Sequence, residues 1–465
     1  MSDWRVRAVL VGAGPGRPDL ITVRGREWIG RADVILYDRL IDPRLLAHAK
    51  AECRTVFVGK ECGRHAFEED EIIGMMVKEA RAGRIVVRLK GGDPGVFGRG
   101  GEEAEALARE GIPFEVVPGV TAGLGAAAYA GVPLTHRDRA SSVQFSTGRP
   151  SGKAAGMTRV LYMAGKNLAA TAADLLASGL SPETPALAVE AGTWDRQRSL
   201  ETTLGRLVQD VAFDSPLLII VGDVVRERER TNWFERRPLY GRRILVPRSR
   251  DHEGKLAALL SEAGAEPVEY TPVTFQPTEA LPGTIRDLPW FVGLHFGDPQ
   301  TVDLFMTELR DARKLAALRI SVAGHFTARA LERRGIVPDL VGLPDRGPVL
   351  WLGPGDLPDG LEAVRVPVYR EVLQVEERKR IEGLEVHGAA FPSSASVRRS
   401  ADLLGRAYLA GLPLFSMGEE TSAELVRHGL VPASRAVPST FEGMVDVVVQ
   451  HFTERAAVCR ASSIS

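Results

Sequence analysis

The chain has 465 residues, 44% hydrophobic and 26% charged, with a net charge of -1. That length predicts several domains, since single cores rarely grow beyond about 250–300 residues. The composition is that of a soluble globular protein, and the near-zero charge removes any electrostatic case for nucleic acid or an anionic membrane as partner. From residue 5 to about 120, short β-rich runs alternate with amphipathic helical stretches. Strands are predicted over 6–12, 33–38, 54–59, 84–90 and 114–118. A helix is predicted over 69–82, where Ile72, Ile73, Met76, Val77 and Ala80 share one face. This alternation predicts an α/β fold with a mostly parallel sheet and crossover helices. A second α/β segment follows from about 120 to 225, with strands over 142–147, 159–164, 185–190 and 217–222. The charged stretch 226–238 reads as a surface helix end plus linker. The apolar run of Gly241-Arg-Arg-Ile-Leu-Val-Pro247 then starts a new α/β series, so the domains are placed at 1–238 and 239–465.

The second domain contains a repeat. Residues Gly324 to Pro338 align without a gap on Gly418 to Pro432, sharing Gly-x-x-Thr-x-x-x-Leu-x-x-x-Gly-(Ile/Leu)-Val-Pro. A weaker echo matches Phe296…Val302 to Phe391…Val397. Two similar α/β lobes are the economical reading. Thr327 and Thr421 then sit at helix N-termini, where two roles stand side by side: helix caps, or ligands for carboxylates across a cleft. The three cysteines, Cys53, Cys62 and Cys459, have neither metal-ligand spacing nor a disulfide framework, which predicts a reducing cytoplasm and no metal. The start lacks a signal-peptide core, and the longest apolar run, 216–221, is too short to span a bilayer.

The most informative stretch is Arg88-Leu-Lys-Gly-Gly-Asp-Pro-Gly-Val-Phe-Gly-Arg-Gly-Gly-Glu-Glu103, where a buried strand opens into a loop before a helix starting near 101–102. Six of the eleven residues from Gly91 to Gly101 are glycine. A turn needs one or two; six predict a backbone that approaches a ligand closely, with Asp93 as a fixed acceptor at the strand's carboxyl end. The earlier loop Val11-Gly-Ala-Gly-Pro-Gly-Arg-Pro-Asp-Leu20 imitates a dinucleotide fingerprint, with Asp38 standing where the ribose-binding acid belongs. The position of its third glycine falls on Arg17, and Pro15 and Pro18 stiffen the turn, which argues against a nicotinamide dehydrogenase.

Together, Gly12-Ala-Gly-Pro-Gly-Arg-Pro-Asp-Leu-Ile-Thr22, Leu36-Tyr-Asp-Arg-Leu40, Val58-Gly-Lys60, the 88–103 loop, Val117-Pro-Gly-Val-Thr121 and Ala128-Tyr-Ala-Gly-Val-Pro-Leu-Thr-His-Arg137 resemble the uroporphyrinogen-III C-methyltransferases in order and spacing, over residues 5–235. The resemblance implies a tetrapyrrole-methylase fold of two α/β subdomains around a cleft, and a homodimer formed through this domain. It implies methyl transfer from S-adenosyl-L-methionine to C2 and C7 of uroporphyrinogen III, giving precorrin-2, which feeds sirohaem and cobalamin. It assigns the cofactor to Pro15, Gly91, Gly92, Asp93, Val96, Thr121, Ala122, Met163 and Gly192. It gives Asp38 and Lys60 the proton that each methylated ring must lose. On the residues alone, Met163 reads as core, and ordinary ion-pair membership is the alternative for Asp38 and Lys60. A substrate with eight carboxylates predicts a locally basic cleft. Arg39, Arg88, Arg99 and Arg137 are its candidate contacts, and Arg64, Arg139 and Arg149 also stand near motif loops. Two departures are Gly95, where the family has Phe, and Ala122-Gly123, where it has Ser-Ala.

Residues 239–465 resemble the two-lobed uroporphyrinogen-III synthases in length and in Gly241-Arg-Arg-Ile-Leu-Val-Pro-Arg-Ser249, Val366-Pro-Val-Tyr-Arg370, Phe391-Pro-Ser-Ser-Ala-Ser-Val397 and the Gly-x-x-Thr repeats. This implies closure of hydroxymethylbilane with inversion of ring D, with Tyr369 catalytic and Thr327 and Thr421 on the substrate. Positioning is the expected source of rate, so no nucleophile is needed. The departures are larger here. Phe296-Gly-Asp-Pro-Gln300 replaces a Thr-Ser-Ala-Asn-like turn, and Pro354-Gly-Asp356 stands where an arginine is expected. A non-catalytic tetrapyrrole-binding lobe and a sensor controlling methylation are the alternatives.

Overall fold

The apolar run Ala8–Gly12 forms β1, buried along its whole length, and it organises the first of four five-stranded sheets. In the computed structural model the described residues are 5–59, 67–147, 156–213, 216–248, 254–353, 357 and 359–462. They divide into two units, Met1–Gly241 with Gly264–Glu266, and Arg242–Ala263 with Pro267–Ser465.

The first sheet adds β2 (Val34–Tyr37), β3 (Arg54–Phe57), β4 (Val86–Lys90) and β5 (Phe114–Val117) in the order β3-β2-β4-β1-β5. All its pairings are parallel. Strands buried on both faces need near-continuous apolar runs, and helices Val23–Arg31, Glu69–Arg81 and Gly100–Arg109 cover them. The connections leaving β1 and β4 run to opposite sides of the sheet, which opens a crevice at their carboxyl ends.

The second sheet of this unit contains β6 (Ser142–Thr147), β7 (Met157–Tyr162), β8 (Pro185–Glu190), β9 (Arg198–Thr203) and β10 (Leu217–Val221), in the order β6-β7-β10-β8-β9. It is mixed: only β6 and β7 pair in parallel. β9 has no counterpart among the predicted strands. The strand predicted over 159–164 also shifts, to 157–162, because the backbone turns at Met163, one residue past β7.

The segment 226–238 is not a linker. Arg228 is buried; its Nε donates to Glu201 Oε1 at 2.8 Å, and its Nη atoms bond Glu235 and the carbonyl of Ala130. Phe234 is fully buried, and Trp233 Nε1 donates to the Ala128 carbonyl at 3.0 Å. The charged run packs here because buried Arg228 finds the buried carboxylate of Glu235 and Phe234 enters the core.

The second unit has two sheets of the same size. One contains β11 (Arg243–Pro247), β12 (Glu266–Tyr270), β20 (Gly388–Phe391), β21 (Leu414–Ser416) and β22 (Ser434–Arg435), with β11-β20-β21-β22 parallel. The other contains β14 (Gly293–Phe296), β15 (Arg319–Val322), β16 (Leu340–Val341), β17 (Val349–Leu352) and β18 (Ala363–Val366), with every pairing parallel. The chain begins in the first lobe, builds the second, and returns. Its two crossing segments, β13 (Val273–Pro277) and β19 (Tyr369–Leu373), pair with each other antiparallel. Each copy of the repeat lies in its own lobe. Among the described residues, no helix is long and apolar enough to cross a membrane, and no group of His, Cys, Asp and Glu could hold a metal ion.

Candidate active site

Three loops meet backbone to backbone at the carboxyl ends of β1, β4 and β5. Gly92 N donates to Gly14 O at 2.7 Å, Gly14 N returns a bond to Gly92 O at 3.2 Å, and Ala13 N reaches Lys90 O at 2.8 Å. A Cβ on Gly12 would lie 2.5 Å from Gly119 N, and one on Gly119 would lie 2.3 Å from Gly92 O. Gly92 has φ +70°, and its missing Cβ leaves space facing Ala122 N at 3.5 Å and Thr121 Cα at 3.6 Å. The glycines predicted from the sequence thus form a shallow cradle at the crevice. Asp93 locks it: Oδ1 accepts from Gly95 N at 2.8 Å and Oδ2 from Gly119 N at 3.0 Å. Its first job is therefore holding two loops together.

The second sheet's loops close over the same place. Pro15 lies against helix Ala122–Tyr129, where a Cβ on Gly125 would meet its ring at 2.5 Å. Val96 packs into the second subdomain's core, and the Phe97 ring meets Tyr162 at 4.9 Å. Thr121 is buried, with its hydroxyl 2.8 Å from Tyr162 Oη, which also accepts from Gly123 N at 2.7 Å. Gly192 sits so close to helix Ala122–Tyr129 that a Cβ there would lie 2.5 Å from the Ala126 Cβ. Phe97, Arg99, Met163, Ala191 and Thr193 all have positive φ, between 48° and 72°. Each such residue costs about 1 kcal/mol or more and gathers where function holds it. Met163 is 63% exposed, so the reading of it as core is wrong. The sequence reading passed over Tyr162 and Thr193, although both stand beside motif residues. It also missed Arg17, whose backbone N meets Thr193 Oγ1 at 3.3 Å and whose guanidinium reaches Asp195 at 3.3 Å.

Asp38 lies just past β2, and its Oδ1 accepts from Arg88 Nη2 at 2.7 Å. Arg88 is only 4% exposed. Its remaining donors go to Glu103 Oε1 at 3.0 Å and to the carbonyls of Leu36 and Leu89. Its assignment as a substrate contact is corrected: the guanidinium is spent inside the protein. Arg99 is exposed and pairs with Glu69 and Glu102 on the surface, which removes the geometric support for its substrate role. Arg39 and Arg137 are exposed, and Arg137 lines an open groove with Thr135, His136, Ala140 and Ser141. Arg139 is paired to Glu227. Lys60, Arg64 and Arg149 lie outside the described residues.

In the second unit, Tyr369 Oη donates to Asp298 Oδ2 at 2.9 Å. Burial and this carboxylate push the phenol well above its usual range. Asp298 also caps helix Pro299–Leu309, accepting from Thr301 N at 2.8 Å and from its hydroxyl at 3.1 Å. At the repeat's matching position, Ser393 caps helix Ser394–Leu404 through Ser396 N at 3.2 Å. The altered turn therefore keeps its cap but places a carboxylate where the other lobe has a hydroxyl. Thr327 and Thr421 are buried in the first turns of helices His325–Glu332 and Glu419–Arg427. Neither is a cap, because Gly324 and Gly418 occupy those positions. Residues 354–356 lie outside the described set.

A glycine cradle at a parallel-sheet crevice, closed by a second mixed sheet, makes the first unit an α/β cleft protein of two subdomains, and a two-lobed α/β domain follows it in the chain. The comparisons agree. Residues 7–208 match the family Tetrapyrrole (Corrin/Porphyrin) Methylases, and residues 254–348 match Uroporphyrinogen-III synthase HemD. The chain is 39% identical to the uroporphyrinogen-III C-methyltransferase of Bacillus subtilis (strain 168), over 70% of this chain and 71% of that one. It is 33% identical to the porphyrin biosynthesis protein HemD of Ruminiclostridium josui, over 95% of this chain and 97% of that one. Among solved structures, the uroporphyrin-III-C-methyltransferase of Thermus thermophilus is 39% identical with a TM-score of 0.43, covering 48% of this chain and 95% of that one. The chain belongs to the uroporphyrinogen-III C-methyltransferase family, in the form fused to a uroporphyrinogen-III synthase domain.

Proposed function

We propose that the first unit methylates uroporphyrinogen III at C2 and C7 to precorrin-2, and that the second closes hydroxymethylbilane to uroporphyrinogen III. The cradle of Gly12, Gly92 and Gly119 beside Asp38 carries the first half. The space left by the missing Cβ of Gly92, and the exposed, strained Met163, fit S-adenosyl-L-methionine. Gly91, Gly92, Thr121, Ala122 and Met163 would hold it, with Pro15, Asp93, Val96 and Gly192 fixing the loops around them. When bound, this cofactor supplies an electrophilic methyl group on a sulfonium. The protein's work is then to orient the pyrrole, exclude water and take up the proton released from the methylated ring, a role given to Asp38 with Lys60. The enzyme is read as a cytoplasmic homodimer acting on small tetrapyrroles, with neither nucleic acid nor membrane as partner.

Incubation with fresh hydroxymethylbilane, without S-adenosylmethionine, should give type III uroporphyrin after oxidation. Adding methyl-labelled cofactor should then place two labelled methyl groups on the product. Type I product at the enzyme-free rate would overturn the synthase half, and absence of label would overturn the methylase half. Asp298 favours one second reading, because a carboxylate at that helix N-terminus opposes a carboxylate-rich substrate: a tetrapyrrole-binding lobe without catalysis.

Gly95 is exposed, and a Cβ there would meet only Asp93 Oδ1, at 3.3 Å. Gly95→Phe should therefore fold normally and restore an apolar wall. S-adenosylhomocysteine binding should tighten by about fivefold, the worth of roughly 1 kcal/mol of apolar burial. Unchanged affinity and turnover in calorimetry and steady-state assays would show that the wall is irrelevant.

A further inference from the structure

Arg88 and Lys90 are two residues apart on β4, so both side chains leave the same face of the sheet. That face is interior: Arg88 is 4% and Lys90 5% exposed. Both meet one carboxylate, Glu103, itself 2% exposed, on helix Gly100–Arg109. Glu103 Oε1 accepts from Arg88 Nε at 3.0 Å and from Lys90 Nζ at 2.8 Å. Asp38, bonded to Arg88 Nη2, completes two cations and two anions. Its side chain is 31% exposed, so it is the one member of the four that reaches the crevice.

Burying so many charges is costly unless each is paired, and removing one strands its partners. Function as well as packing is served by this arrangement, because the chain of bonds has a direction. Glu103 fixes the guanidinium through Nε, backbone carbonyls fix Nη1, and only Nη2 is left to aim Asp38. A guanidinium fork is planar, so fixing one edge sets the other. We infer that Glu103, acting through Arg88, is a positioning residue for Asp38, with Lys90 balancing its charge. This deepens the methylase reading above and rests on Asp38 handling the proton.

A double-mutant cycle on the full chain tests it, using Glu103→Gln, Asp38→Asn and the pair, with methyl-transfer kinetics, S-adenosylhomocysteine calorimetry and melting. Glu103→Gln alone should lower kcat by about 10²-fold, the scale of one acid–base group, with cofactor-product affinity little changed. In the Asp38→Asn background it should lower kcat by less than about twofold more, because the group it serves is gone. An equal factor in both backgrounds, or a loss that follows cofactor affinity or unfolding, overturns the inference. If Asp38→Asn leaves no measurable turnover, rescue decides. Glu103→Asp must then exceed Glu103→Gln by about tenfold at equal melting temperature, and equal turnover overturns it. If Glu103→Gln does not fold, Glu103→Gln with Lys90→Met removes one charge of each sign and enters the same cycle. Wild-type turnover unaffected by Asp38→Asn would instead sink the role of Asp38 itself, a distinct result.

Discussion

Gly119→Ala should abolish cofactor-product binding and lower the melting temperature of the first unit by about 10 °C, the equivalent of about 3 kcal/mol of overpacking. The new Cβ would lie 2.3 Å from Gly92 O, 2.8 Å from Gly12 Cα and 2.9 Å from Gly12 C. All three are backbone atoms at the ends of strands buried along their lengths, so no side chain can swing aside. Relief requires β5 to separate from β1, and with it Gly119 N from Asp93 Oδ2. Gly74→Ala is the control. It sits inside helix Glu69–Arg81 with nothing within 4 Å of the added atom, and should stabilise by about 0.5–1 kcal/mol. Calorimetry with S-adenosylhomocysteine and thermal melting read both variants. A Gly119→Ala protein that melts and binds like wild type would show that the three loops are not in contact in solution.

The same glycines show where the sequence is legible. Their density between an apolar run and a helix announces close backbone approach, and the cradle lies where that pattern places it. β9 escapes the same reasoning because Arg198-Ser-Leu-Glu-Thr-Thr203 is an edge strand without a fully buried residue, so its pattern is that of a polar loop. Arg88 illustrates a second limit. Its place beside a binding loop suggests a substrate contact, yet its acceptors Asp38 and Glu103 lie 50 and 15 residues away, and only tertiary packing brings them together. Arg228 in the charged run is the same case, joined to Glu201 on an edge strand that the pattern does not reveal. Asp298 could have been found. Aligning Phe296…Val302 on Phe391…Val397 sets it against Ser393, and both residue types cap helices. The alignment predicts a shared cap; that the carboxylate also accepts a hydrogen bond from the Tyr369 hydroxyl needs the crossing strand β19 in place.

Mild acid should destabilise the second unit through one histidine. His295 is central in β14, fully buried, and its register neighbours are Ser321 on β15 and Trp351 on β17. Nδ1 lies 2.9 Å from the Ser321 hydroxyl, the ring stacks on Trp351 at 3.9 Å, and Nε2 has no bonding partner among the described residues. Burial alone pushes its pKa down to about 4. The unfolded chain, with histidine near about 6.5, binds this proton first, so stability falls as pH drops from about 6.5 toward 4 and is fully present above that window. Between pH 7.5 and pH 5 the expected loss is about 2 kcal/mol, rising toward about 3 kcal/mol at lower pH. His295→Phe keeps a flat ring against Trp351 and removes the titrating group, at the expense of an unpaired Ser321 hydroxyl. Urea titrations of both proteins at the two pH values isolate the effect, because every other titrating group is common to them. Wild type should lose about 2 kcal/mol more than His295→Phe on acidification. Equal losses would mean that His295 is reached by water or by a proton acceptor, and that the β14 interior is not the dry environment its packing describes.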